Sequence, residues 1–253
     1  MDDGRHFHFS PSVYLLPLLL VIPMWFVFAL QSAFHHSFDF LAILPRQWQG
    51  IPGIALSPFL HGNLGHIASN TPPLLILVAA LVYFYRRLAL KVIVYGILLS
   101  GLITWIIGRD SYHLGASGLV YVLVGFIFFK GLITQYYRLV ALSFAVVLMY
   151  GGLIWYMFPG IDEAISWEAH LGGMISGFLF ALIFRTPNYQ EDLLFEWQRP
   201  DYDPSGDKFM QRFDEKGNFV NPLPPEPEGM DVENPQVPLV RYHFLPMEKG
   251  EED

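Results

Sequence analysis

Long apolar runs, interrupted by short polar or charged stretches, fill the first 185 residues of the chain. A helix that crosses a bilayer needs about 20 mostly apolar residues. Six stretches reach that scale, at roughly 13–31, 62–84, 91–107, 115–131, 138–158 and 167–185. The pattern predicts an all-α polytopic membrane protein built as a bundle of six transmembrane helices. The first run has the hydrophobicity of a secretory leader, but its length, Pro17 and Pro23 within it, and Asp2 and Asp3 ahead of it argue for a retained span. Pro72 and Pro73 lack backbone N–H groups, so the second span is expected to bend just after Asn70.

Composition agrees with the pattern and adds a boundary. The chain is 53% hydrophobic and 15% charged, against about 25% charged for an average soluble domain. From Asn188 onward Pro, Asp and Glu take over. Residues 186–253 carry 16 acidic and 6 basic side chains, whereas residues 1–185 carry 7 and 9. The net charge of −8 therefore belongs to the tail and says nothing of nucleic acid or acidic partners. Three regions follow: a short segment 1–12, a membrane domain 13–185 and an acidic, Pro-rich tail 186–253. Such a tail buries too little apolar surface to offset its chain entropy. It is expected to be extended or disordered, with short ordered pieces around Phe209–Phe219. The absence of cysteine excludes disulfides, thiolate catalysis and cysteine metal sites.

Charge placement orients the spans. With the N-terminus in the cytoplasm, the inner side collects Arg5, Arg86, Arg87, Lys91, Lys130, Arg138 and Arg185, and the outer side only Arg46 and Arg109. Both termini are expected to be cytoplasmic. A long outer loop, about 32–58, then holds His35, His36 and Trp48.

Polar groups are costly inside a membrane, so those within the spans are functional candidates. The second span opens with His61, followed by His66 and Asn70, which stand four apart and share a helix face. The fourth opens with Gly115-Ala-Ser117-Gly118, and Tyr121 shares a face with Ser117. Gly115 and Gly118 permit a tight loop-to-helix junction and close helix approach. The sixth carries His170, with Gly173 and Gly177 forming a close-packing Gly-x-x-x-Gly pair. At about 1.5 Å per residue, Ser117 lies roughly 20 Å from Lys130, His170 roughly 22 Å from Arg185 and Asn70 roughly 24 Å from Arg86. Three separate helices thus bring Ser, His and Asn to one level, below the outer surface of a core about 30 Å thick.

That level supports acyl transfer. A serine needs a base to take its proton, and His170 is the candidate at the right depth. The spans contain no Asp, and Glu168 precedes His170 at the membrane edge. A Ser–His dyad is therefore expected rather than a triad, with Tyr121 placed to stack on the imidazole. Asn70, His66 and the Ser117 backbone N–H are suitable donors for a developing oxyanion.

The three strings His61-x4-His66-x3-Asn70, Gly115-x-Ser117-Gly118 with Tyr121, and Ala169-His170-x2-Gly173-x3-Gly177 resemble the rhomboid family of intramembrane serine proteases. They fall on the second, fourth and sixth spans, as in the simple prokaryotic, six-span architecture. The resemblance covers about 1–185. It implies Ser117 as nucleophile, His170 as general base, and Asn70, His66 and the Ser117 N–H as the oxyanion hole. His61 becomes a supporting or water-holding residue. It further implies transmembrane protein substrates entering from the lipid bilayer near spans two and five, no cofactor, and residence in a bacterial inner membrane. Two departures stand out. Members often carry Trp-Arg in the first outer loop, where this chain reads Arg46-Gln-Trp48-Gln, and Pro72 and Pro73 follow Asn70. The alternative within the family is a non-catalytic protein that binds and escorts membrane helices. An alternative outside it is a metal or haem protein using His61, His66, His113 and His170, which lacks a buried carboxylate partner.

Overall fold

The computed structural model describes residues 10–35, 37–162, 165–185, 195, 201–203, 206–207, 209–214 and 216–220. By its internal contacts the chain divides into two units, residues 1–191 and 192–253.

The first unit is helical. Its elements are α1 (Ser12–Phe34), the single turn α2 (Gly53–Leu56), α3 (Leu64–Phe84), α4 (Arg86–Ile107), α5 (Ser117–Thr134), α6 (Tyr137–Tyr150) and α7 (Trp167–Ile183). α6 runs on as a 3₁₀ segment, Gly151–Met157. With that segment counted, five helices among the described residues are long and apolar enough to cross a membrane. The sixth, α7, has 17 residues, roughly 25 Å of helix, somewhat less than the hydrocarbon thickness. The protein is a polytopic helical membrane bundle.

Burial sorts the helices. α5 is the most buried and packs most extensively on α7, then on α6 and α4. Its Leu119, Val122, Leu123, Phe126 and Ile127 are sealed from any solvent or lipid. α1 and α6 are the least buried, with Leu19, Phe26, Phe144 and Leu148 turned outward. In water such exposure would be ruinous; against lipid it costs nothing, since acyl chains are as apolar as leucine.

Local chemistry explains the ends. The Asn63 side chain caps α3 by accepting from the His66 N–H at 2.8 Å. Ser166 caps α7 by accepting from Ala169 N–H at 3.2 Å. α3 stays helical through Pro72 and Pro73. The two prolines remove donors to the carbonyls of Ala68 and Ser69, one turn from the candidate oxyanion residues.

Lys130, counted among the inner-side charges, turns into the bundle and not toward a surface. It is 5% exposed, and its ammonium donates to the carbonyls of Ala181 at 3.0 Å and Phe184 at 2.5 Å. Those carbonyls end α7 without intrahelical donors, and a cation there also complements the helix dipole. The lysine therefore ties the far end of α5 to the far end of α7.

The long loop before α3 is anchored to the neighbouring loop and helix. Ile43 pairs with His113 across backbone hydrogen bonds of 3.0 and 2.9 Å. Arg46 donates to the Gly108 carbonyl at 2.6 Å, just past α4, and to Asp110 at 2.5 Å. Trp48 is 84% exposed, so Arg46, not the tryptophan, holds this loop in place.

In the second unit, Met210–Arg212 forms one 3₁₀ turn and Phe213 bridges to Phe219. The Asp214 carboxylate closes the turn by accepting from Lys216 N–H, Asn218 N–H and the Asn218 amide. The expectations of a short segment 1–12 and a disordered tail fall mostly on residues 1–9 and 186–253, largely outside the described residues.

Candidate active site

Ser117 is the first residue of α5. Gly115 delivers the chain to it with φ +112°. A Cβ on Gly115 would lie 2.6 Å from His66 Nε2, so this glycine serves both the turn and the approach of the imidazole. Gly118 differs. A Cβ there would meet nothing nearer than 3.6 Å. Its contribution is its carbonyl, against which Gly173 packs: a Cβ on Gly173 would strike that oxygen and approach Tyr121 Cβ to 2.8 Å. A Cβ on Gly177 would strike the Val122 carbonyl and approach Phe126 N to 2.7 Å. The glycine face of α7 thus lies directly on the backbone of α5.

The same contact brings His170 to the Ser117 face. The imidazole stacks on the Tyr121 ring, with centroids 4.2 Å apart and planes 12° from parallel. Tyr121 is one turn below Ser117, on the same side of α5. His170 Nδ1 lies 2.9 Å from the Tyr156 carbonyl oxygen. A carbonyl only accepts, so Nδ1 carries the proton, and in the neutral ring Nε2 carries the lone pair. The Tyr121 hydroxyl donates to the neighbouring Leu153 carbonyl at 2.5 Å.

Across the site stands α3. Asn70 is buried and uses one amide hydrogen on the His66 carbonyl at 2.9 Å, leaving the other for a ligand. His66 is edge-on to His61, with centroids 5.0 Å apart. His61 is 2% exposed and stands behind His66. One cavity of 670 Å³ is lined by His66, Asn70, Ser117, Tyr121, Tyr156 and His170 together with the loop ahead of α5. His61 does not line it.

Glu168 faces elsewhere. It is 1% exposed, accepts from the Arg109 N–H at 3.1 Å and stands 3.9 Å from the Arg109 guanidinium. Arg109 also donates to the Ile165 carbonyl. His113 engages both ring nitrogens, with Ser166 Oγ at 2.6 Å and the Arg109 carbonyl at 3.0 Å. Burial pushes the His113 pKa below its usual value. This clasp joins the loop before α5 to the start of α7. His113 is thus committed to it and does not meet the other histidines. Among the described residues, no three His, Asp or Glu side chains are grouped as metal ligands.

A family model for the rhomboid domain matches residues 47–187, more than half of the chain. The chain belongs to the rhomboid family. Individual relatives agree in extent. An uncharacterized protein of Mycobacterium tuberculosis is 30% identical over 159 residues, covering 59% of this chain and 65% of that protein. One of Mycobacterium leprae is 30% identical over 172 residues, 64% of this chain and 67% of that protein. The match to the M. tuberculosis protein thus spans just under two thirds of its length.

Two parts of this rhomboid site escape a reading of side chains. The Tyr156 and Leu153 carbonyls are backbone groups, and any residue supplies one. Their only trace is Gly151-Gly152, a local weakness in the fifth span. The Arg109–Glu168 clasp joins residues 59 apart, and nothing in either string announces the other.

Proposed function

We propose that this rhomboid protein is an intramembrane serine endopeptidase that cleaves transmembrane protein substrates. Ser117 Oγ attacks the scissile carbonyl, and His170 Nε2 accepts its proton. The same imidazole then protonates the leaving amine. Water repeats the cycle on the acyl-enzyme, with His170 again the base. The oxyanion is held by the Ser117 N–H, the free Asn70 amide hydrogen and His66. Ser117 sits in the first turn of α5, where N–H groups lack intrahelical acceptors and the helix dipole favours negative charge.

The observation that carries this reading is the His170 geometry. Its Nδ1 is tied to a carbonyl and its face to Tyr121, in a cavity that also holds Ser117 and Asn70. An escort protein has no use for an imidazole so constrained beside a serine. The cavity takes its walls from α3 and from the 3₁₀ segment after α6, which supports substrate entry from the bilayer between them. Orientation with both termini cytoplasmic, and an inner-membrane location, belong to the same proposal.

A fluorophosphonate probe tests it directly. The purified full chain should be labelled, and Ser117→Ala should not. The wild type should also cleave a reconstituted single-span substrate. Equal labelling of both proteins, or no cleavage across a panel of substrates, would favour the escort reading.

A further inference from the structure

We infer that the 3₁₀ segment Gly151–Met157 is the positioning element of the base, its Tyr156 carbonyl taking the place of the carboxylate that a Ser–His–Asp triad would provide. The inference rests on the proposed serine-protease reading and extends it to a part of the fifth span.

Two carbonyls of one segment grip the two stacked rings. Leu153 accepts from the Tyr121 hydroxyl at 2.5 Å, and Tyr156 faces His170 Nδ1 at 2.9 Å. The carboxylate nearest in sequence, Glu168, is held by Arg109 instead. The Tyr156 carbonyl is the partner that fixes which nitrogen of His170 is the base.

The helix type matters to this grip. A 3₁₀ helix turns about 120° per residue and an α-helix about 100°. Over the five steps from 151 to 156 the difference accumulates to roughly 100°, with roughly 2.5 Å of rise. Were α6 to continue as α-helix, the Tyr156 carbonyl would swing away from His170. The switch begins at Gly151-Gly152, and glycine is the weakest helix former after proline. Steric need does not explain the pair. A Cβ at Gly151 would meet only Val147, at 3.5 Å, and one at Gly152 would meet nothing within 4 Å. Both φ values also lie outside the left-handed region. The glycines therefore mark where the helix changes type.

The segment also forms part of the cavity wall through Leu153 and Tyr156. A substrate helix that displaces this wall would loosen His170, and one that seats against it would keep the base oriented.

The test replaces Met157 by its α-hydroxy acid in the full chain. This turns the Tyr156 carbonyl into an ester carbonyl, a weaker acceptor, and leaves every side chain intact. The control puts the hydroxy acid at Trp155, which weakens the Ile154 carbonyl and spares both gripping ones. The ester at 157 should lower kcat about tenfold, the effect of weakening one hydrogen bond, with KM within about twofold of wild type. The control should stay within about twofold in both. Nitrogen NMR of histidine-labelled protein, assigned by His170→Gln, should show a single Nδ1–H tautomer in wild type and a mixture in the ester variant. Gly151→Ala with Gly152→Ala, which introduces no clash, should also lower kcat and mix the tautomers without lowering thermal stability. Equal kcat for the two esters, an Nε2–H tautomer in wild type, or full kcat in the double alanine variant would overturn the inference. The NMR readout needs no turnover. Failure of Ser117 labelling would therefore sink the protease reading while the tautomer still decides this one.

Discussion

A serine hydroxyl is almost never ionised near neutral pH, so Ser117 depends on whatever removes its proton. If His170 does so, the two residues act as one unit and their losses cannot add. Ser117→Ala and His170→Ala should each abolish most cleavage of a reconstituted substrate, and the double variant should be little worse than either. Additive losses would show that each acts alone. Asn70→Ala should be milder in kind, because the Ser117 N–H and His66 remain. One lost oxyanion donor costs about 10²–10³ in turnover, and an unchanged rate would remove Asn70 from the site. His113 gives a prediction about stability rather than rate. Burial lowers its pKa below the ordinary 6.5, so the folded protein resists protonation there more than the unfolded chain does. Above pH 6.5 both states are neutral and the clasp to Ser166 is fully stabilising. As pH falls from 6.5 toward the depressed folded value, the unfolded state gains protons first, and stability is lost. Thermal unfolding should therefore move to lower temperature on acidification, and His113→Gln should flatten that dependence.

Between α5 and α7, two devices at opposite ends set the distance between serine and histidine. Near the site, Gly173 and Gly177 let the helices touch backbone to backbone. At the far end, Lys130 holds the last carbonyls of α7. Gly177→Leu should push the helices apart and cut activity far more than expression, and full activity in that variant would assign the glycine another role. Lys130→Met keeps the bulk but leaves the buried Ala181 carbonyl and the half-buried Phe184 carbonyl without their donor. It should cost about 1–3 kcal/mol, read as a lower thermal midpoint. The glycine device was legible in the sequence, because small residues four apart leave a signature. The lysine was legible only as a charge near a helix end. Its use as a cap depends on α7 being shorter than the other spans, with its terminal carbonyls at Lys130's level. The 3₁₀ segment was not legible at all as a functional element. Its residues read as the outer part of an ordinary apolar span, and the groups that matter are carbonyls. Ser117, His170, Asn70 and His66 were legible for the opposite reason: polar side chains inside apolar runs have few places to hide.

At the scale of the whole molecule, the charge pattern and the helices together bear on which side of the membrane each end occupies. Six crossings return the chain to the side from which it started. The basic residues at the Arg86, Lys91, Arg138 and Arg185 end of the bundle outnumber Arg46 and Arg109 at the Ser117 end. Arg46 is moreover paired with Asp110, and Arg109 stands by Glu168, so the Ser117 end presents little uncompensated positive charge. That bias predicts the proposed orientation, with the Ser117 end outside. A reporter fused at the C-terminus should give a cytoplasmic signal, and one inserted at residue 161 an external signal. The same arrangement predicts that the acidic tail is separate from the chemistry. Every residue proposed for the dyad and the oxyanion hole lies between positions 66 and 170, and the cavity takes its lining from positions 62 to 170. The Lys130 cap on α7 is complete by Phe184. A chain ending after Pro187 therefore keeps all of the helix contacts that place His170 against Tyr121. It should insert, label with the fluorophosphonate probe and cleave a reconstituted substrate within about threefold of the full chain, a change smaller than one hydrogen bond is worth. A truncated protein that inserts and labels but cleaves nothing would show that the tail takes part in substrate capture. One that inserts but no longer labels would show that the tail is needed to hold α7 on α5.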